Sequence, residues 1–213
     1  MKRACIILAL AAVAIGAGCS SIDRSRSLAN PNTPARTLAT QVCSNCHEID
    51  GNSTSPNFPR LAGQPEEYLV AQLSEFRNHR RADPAGYEYM WGISRSLTDD
   101  QIKGLAAYFS AQTPSSPGPG NPNLVADGKQ IFDSGAPTQG VPPCSTCHGD
   151  RGQGNGQFPR IANQHSDYVV KQLSVFQRTD QRPDGAAMKV VTHPLTDQQM
   201  QAVAAYLQDM PSK

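Results

Sequence analysis

Apolar residues recur at helical spacing in two stretches of this chain that lie a hundred positions apart. Tyr68, Leu69, Leu73 and Phe76 fall on one helix face, and Tyr168, Val169, Leu173 and Phe176 repeat it. Pro65 stands ahead of the first stretch, where a helix tolerates proline in its opening turn. Thr98 with Gln101, and Thr196 with Gln199, have the spacing of capping boxes and predict a C-terminal helix in each region. A short helix is expected over 127–132, and a weaker one over 35–42. No alternating run is long enough for a sheet, so the expected fold is all-α.

These elements belong to an internal repeat. Phe58-Pro59-Arg60-Leu61-Ala62-Gly63-Gln64 returns as Phe158-Pro159-Arg160-Ile161-Ala162-Asn163-Gln164, and from there to Phe76 and Phe176 11 of 19 positions are identical. Leu97-Thr98-Asp99 returns as Leu195-Thr196-Asp197. The register drifts from 101 to 100 to 98, which places small length changes in loops and makes a duplicated domain the simplest account. Between the copies lies a Pro-, Gly- and Ser-rich run that can propagate neither helix nor strand. The chain thus divides into a signal peptide (1–18), a flexible tether (19–34), domain 1 (35–112), a linker (113–123) and domain 2 (124–213).

Six cysteines change the picture. Four make two pentads, Cys43-Ser44-Asn45-Cys46-His47 and Cys144-Ser145-Thr146-Cys147-His148. Each offers two thiols able to add across the vinyl groups of haem, and an imidazole one residue on to bind the iron. A disulfide, a thioredoxin-type pair or half a zinc site could use two such cysteines, but none needs the adjacent His in both copies. Two covalently bound haem c groups are therefore expected, with His47 and His148 as axial ligands. Domains this small would draw much of their apolar interior from the haem itself.

The opposite axial position decides whether such a site moves electrons or performs chemistry. Met90 and Met188 each lie seven residues before the Leu-Thr-Asp segment, and follow their His by 43 and 40 residues. A lone Met is usually core packing, but two in register within duplicated haem domains point to ligation. A thioether is soft and uncharged, so it favours ferrous iron and raises the potential. Met200 and Met210 have no such counterparts and read as core, while His79, His165 and His193 read as surface or supporting residues. Pro59 and Pro159 could each offer a carbonyl to the far N–H of the haem His. Arg60 and Arg160 could pair with haem propionates, as could Tyr68 and Tyr168. The Arg77, Arg80, Arg81 cluster is explained by a helix C-terminus.

Cys5 and Cys19 lie in the N-terminal segment, where a basic start and a short apolar run describe an export signal. Gly16-Ala17-Gly18-Cys19 resembles a bacterial lipobox, with Cys19 the lipidated residue and ordinary cleavage near Ala17 the alternative. Loss of 1–18 removes Lys2 and Arg3 and takes the formal charge from +1 to −1. Neither half is strongly charged, and nucleic-acid binding has no support.

With the pentads, the Phe-Pro-Arg segments, the Tyr-x-x-x-Gln-Leu helices and the Leu-Thr-Asp starts in place, the chain resembles the diheme cytochrome c4 family from Ala35 onward. The resemblance implies two class I cytochrome c domains related by a pseudo-twofold axis, with electrons passing between haems. It carries haem attachment onto Cys43, Cys46, Cys144 and Cys147, and axial pairing onto His47/Met90 and His148/Met188. It further implies a periplasmic electron carrier of a Gram-negative bacterium, without substrate turnover of its own. A quinol–cytochrome c reductase or dehydrogenase would be the donor and a haem–copper oxidase the acceptor. Lipidation at Cys19 would add a membrane tether, with the outer membrane favoured by Ser20 and Ser21. The alternatives are a diheme oxidoreductase and a dedicated cytochrome subunit of a membrane complex. The first pentad departs from the pattern by continuing Glu48-Ile49-Asp50, where the second has Gly149-Asp150.

Overall fold

A computed structural model describes residues 27–211; Cys5 and Cys19, and with them the export and lipidation readings, lie outside the described residues. In the first half, α1 (Ala35–Leu38) widens into a π turn (Ala39–Cys43) and continues as α2 (Ser44–His47), so His47 ends one helical stretch. Thr40 and Ser44 hydroxyls donate back to the Arg36 and Thr40 carbonyls at 2.9 and 2.8 Å. Such bonds loosen a helix and account for the weak helical signal there. α3 (Glu66–Arg77) follows, then a π turn (Gly86–Met90) leading into α4 (Trp91–Ser94), then α5 (Asp99–Ser110).

The second half repeats the order with α6 (Pro122–Ser134), α7 (Ser145–His148), α8 (Ser166–Arg178), α9 (Ala186–Thr192) and α10 (Asp197–Asp209). α6 starts five residues earlier than the expected 127, because Pro122 takes the first helical position and the Asn121 side chain caps the Asn123 N–H at 3.1 Å. Both capping boxes form: the Thr98 and Thr196 hydroxyls accept the Gln101 and Gln199 N–H groups, each at 3.2 Å, and both glutamines bond back. Among the described residues only isolated β-bridges occur, so the fold is all-α.

Each half has its own core. Leu38, Leu69, Ile102, Leu105 and Phe109 join α1, α3 and α5. Phe132, Val169, Val203, Leu207 and Met210 join α6, α8 and α10. Gly128 allows α6 and α10 to touch, since a Cβ there would lie 2.0 Å from the Ala202 carbonyl oxygen. Met210 is buried in this packing, and Met200 in a neighbouring cluster with Ala136, Val141 and Leu195, as expected for methionines without counterparts.

The halves meet across a pseudo-twofold axis, about which their central contacts recur with the partners exchanged. The Gln164 amide accepts the Arg60 N–H at 2.8 Å and donates to the Arg60 carbonyl at 3.0 Å. The Gln64 amide does the same for Arg160, at 3.0 and 2.6 Å. Two expectations need correction at this interface. His165 is buried, not on the surface, and its Nε2 lies 2.8 Å from the Ser53 carbonyl of the other half. Arg81 does not serve the end of α3. It is buried, binds Asp83 at 2.9 Å, and reaches Gln172 and Tyr168 of the other half at 3.2 and 3.3 Å. A guanidinium cannot be left unpaired in such a place, and its five donors suit a shared network.

Candidate haem sites

The two pentads are built alike. His47 and His148 end their short helices with buried rings, and each Nδ1 lies 2.9 Å from a proline carbonyl, Pro59 and Pro159 respectively. A carbonyl only accepts, so the proton sits on Nδ1 and Nε2 keeps its lone pair. Burial lowers both imidazole pKa values, opposed by the proline carbonyls, so the rings are neutral at pH 7 and ready to bind metal. Phe58 and Phe158 stand edge-on to the rings at 6.2 and 6.4 Å.

Burial pushes the Cys43 and Cys144 thiols up to about 11. A thioredoxin-type thiol needs the opposite shift, so burial speaks against the redox-pair reading. No cluster of three or more His, Cys, Asp or Glu gathers among the described residues, which leaves the zinc reading without a ligand set.

Met90 and Met188 occupy matching places and are half-buried. Met90 ends the π turn before α4, and its carbonyl accepts the Ser94 hydroxyl at 2.6 Å. Met188 lies in α9, and its carbonyl accepts the Thr192 hydroxyl at 2.7 Å.

Haem fits the surroundings of these residues. Ile49, Tyr87, Tyr89, Phe158 and Val190 are exposed, and each is a near neighbour in sequence or space of a candidate iron ligand. A flat apolar group held between His and Met would cover such side chains. Two buried guanidinium atoms, Arg160 Nε and Arg182 Nε, lack an acceptor. Burial and the nearby Arg151 disfavour the Arg160 charge, which a propionate would relieve.

The arginines of the repeat have separated in role. Arg60 is occupied within the protein, donating to Asn52 Oδ1, the Ser115 carbonyl and the Ser115 hydroxyl, each at 2.7 Å. Of these two, Arg160 keeps a buried donor, Nε, without an acceptor, while Tyr168 serves Arg81. Sequence reasoning missed Gln72 and Gln172, buried polar residues on the apolar faces of α3 and α8. Gln72 accepts from Arg81 at 2.6 Å and Arg182 at 2.9 Å, and Gln172 from Arg182 at 2.8 Å. Their recurrence at the same place in both copies was the available signal.

The family model described as cytochrome c matches residues 33–112 and again 125–211. A cytochrome c4 from Thiocapsa roseopersicina is 40% identical over 176 residues, 81% of this chain and 88% of that protein. The crystal structure of reduced recombinant cytochrome c4 from Pseudomonas stutzeri superposes with a TM-score of 0.75 at 36% identity, covering 83% of this chain and 97% of that one. A protein of Thiomonas intermedia named thiosulfate dehydrogenase electron acceptor is 32% identical over 174 residues, 79% of this chain and 78% of that protein. With a cytochrome c domain matched in each half and relatives of this name along most of its length, the chain belongs to the diheme cytochrome c4 family, an electron-transfer protein with two haem c groups bound covalently through Cys43/Cys46 and Cys144/Cys147.

Proposed function

We propose that this protein is a periplasmic one-electron carrier whose irons are held by His47/Met90 and His148/Met188, and that it turns over no substrate of its own. Each haem, when bound, supplies a one-electron Fe(III)/Fe(II) couple. The chain's residues do the rest. The bond from Nδ1 to the proline carbonyl fixes each imidazole and raises its basicity as a ligand. As iron ligands, the neutral thioethers of Met90 and Met188 would favour the reduced state and would leave no open position for a substrate. Arg160 would meet a propionate, and its buried Nε, which has no acceptor within the protein, supports that role as the hydrogen-bond donor.

The observation that carries the reading is the duplication itself, with the same His–carbonyl distance and the same hydroxyl bond behind each methionine in both halves. The proposed partners are redox proteins: a quinol–cytochrome c reductase or dehydrogenase as donor and a haem–copper oxidase as acceptor. The relative named as an electron acceptor of thiosulfate dehydrogenase supports a second form, service to one dedicated dehydrogenase. No helix among the described residues is long and apolar enough to cross a membrane. The proposed membrane attachment is through a lipid at Cys19, with the outer membrane favoured.

The test is a potentiometric titration of the visible spectrum on protein matured with haem in a periplasm. Two low-spin, high-potential one-electron waves with a sulfur–iron charge-transfer band are expected. Met90→Ala and Met188→Ala should each remove about half of that band and lower one potential. A high-spin or low-potential haem in the unaltered protein would overturn the ligand assignment.

A further inference from the structure

The halves part company at the residue that follows each methionine. In the register of the repeat, Trp91 corresponds to Lys189, and His79 stands two residues before Arg81 as Asp180 stands two before the matching Arg182. Trp91 stacks on the His79 ring, with centroids 4.4 Å apart and planes 17° from parallel, and its Nε1–H donates to the Arg81 carbonyl at 2.8 Å. Gly86 leaves room for this: a Cβ there would lie 2.4 Å from the Arg81 oxygen and 3.2 Å from the indole nitrogen. His79 adopts a left-handed backbone, φ 58°, a conformation that non-glycine residues keep only when their surroundings hold them in it.

In the second half the same two positions carry an ion pair, Lys189 with Asp180, whose side chains are 44% and 90% exposed. Both residues line an open hollow of about 260 Å³ together with Phe176 and Arg182. Arg182 is the counterpart of Arg81, so the indole of the first half engages the counterparts of two residues, Asp180 and Arg182, that border the hollow in the second.

Taking Met90 and Met188 as iron ligands, as proposed above, we propose that these pairs are clamps of unequal strength on the two methionines. Trp91 and His79 hold the Met90 segment against the corner that follows α3 by a stack and a neutral hydrogen bond, neither of which salt screens. Lys189 and Asp180 hold the Met188 segment by an exposed ion pair, which is weak and fades as ionic strength rises. All four are positioning residues, acting on iron through the methionine beside them.

Imidazole added to the oxidised, haem-loaded protein competes with each thioether, and loss of the sulfur–iron band reads the competition. Two binding phases are expected. Between low and molar salt one phase should tighten about threefold to fivefold, the span of an exposed ion pair, and the other should stay put. Asp180→Asn should abolish the salt response. Trp91→Leu should tighten the salt-insensitive phase on the order of tenfold, and Trp91→Phe, which retains a stacking ring, should recover part of that change. Asp180→His with Lys189→Trp should make both phases salt-insensitive. The clamp is overturned if Trp91→Leu and His79→Leu leave both phases unmoved, or if the variants in both halves move the same phase. An unaltered protein without the sulfur–iron band would overturn methionine ligation itself, a different failure that shows before any variant is made.

Discussion

In both halves the haem histidine meets a proline carbonyl at 2.9 Å, yet the side chains one step further out have been rebuilt. Arg81 and Asp83 form a pair with side chains only 4% and 0% exposed, while the equivalent Arg182 and Asp184 stand 3.5 Å apart with 5% and 22% exposure. Arg60 is consumed by Asn52 and Ser115, while Arg160 keeps a buried donor free. Duplication supplied two copies of one histidine–carbonyl geometry, and the side chains around it diverged without disturbing it. On the proposed ligation, two sites alike at the metal and unlike around it can give one electron a direction of travel.

The largest expected effect comes from breaking the buried pair. Asp83→Ala leaves the Arg81 guanidinium without its carboxylate inside the interface and should cost about 3–5 kcal/mol of unfolding free energy. Asp184→Ala, in the looser and wetter pair, should cost about 1 kcal/mol, so denaturant midpoints of the two variants should separate clearly. Equal midpoints would mean that the two pairs are energetically the same despite their geometry. Acid offers a sharper version. Burial raises the Asp83 pKa, but Arg81, Gln172 and Arg182 outweigh it, and the net shift is downward. A carboxyl held below its unfolded value stabilises the protein above that value, about 4, and the stabilisation fades as pH falls through the folded one. The unaltered protein should therefore lose stability below about pH 4, and Asp83→Asn should flatten that part of the curve.

The reciprocal glutamines come next. Gln164→Ala strips both partners from the backbone of Arg60, which is buried, and should cost about 2–3 kcal/mol. Gln64→Ala does the same to the half-buried Arg160, where water can substitute, and should cost about 1 kcal/mol. Chemical denaturation of the two variants side by side reads the difference; a reversed order would show that the pseudo-symmetric contacts are not tuned by burial.

Much of this was legible in the sequence because it depends on local spacing. The pentads, the capping boxes, the long helices and the matched methionines each lie within one short window, and period and chemistry can be read there. The interface could not be read that way. Gln72 and Gln172 sit among apolar residues on α3 and α8, and nothing local says that their amides meet guanidinium groups 110 and 91 positions away. Arg81 looks like a helix-end charge until the second half closes over it. The difference between Arg60 and Arg160 was invisible for the same reason, since Ser115 approaches Arg60 from the connecting segment. What sequence did offer was recurrence: a polar residue kept at the same place in both copies of an apolar face has something to bond.

The smallest expected effect is also the control on the comparison. The two capping boxes share one chemistry and one geometry, so Thr98→Ala and Thr196→Ala should each cost about 1 kcal/mol, within a few tenths of one another. Their glutamines should not behave alike. Besides closing its box, the buried Gln101 donates from Nε2 to the Asn30 and Thr33 carbonyls, both at 3.0 Å, and ties the entering chain to α5. Gln199 reaches only another side chain, the Gln139 amide oxygen at 2.7 Å. Gln101→Ala should therefore cost about 1–2 kcal/mol more than Gln199→Ala, because it removes two bonds to the entering chain that Gln199 never makes. Equal threonines with unequal glutamines would show that the repeat preserved the helix start and reassigned only the side chain's second use. Unequal threonines would mean that the halves differ in overall stability, and every paired comparison above would have to be scaled by that difference.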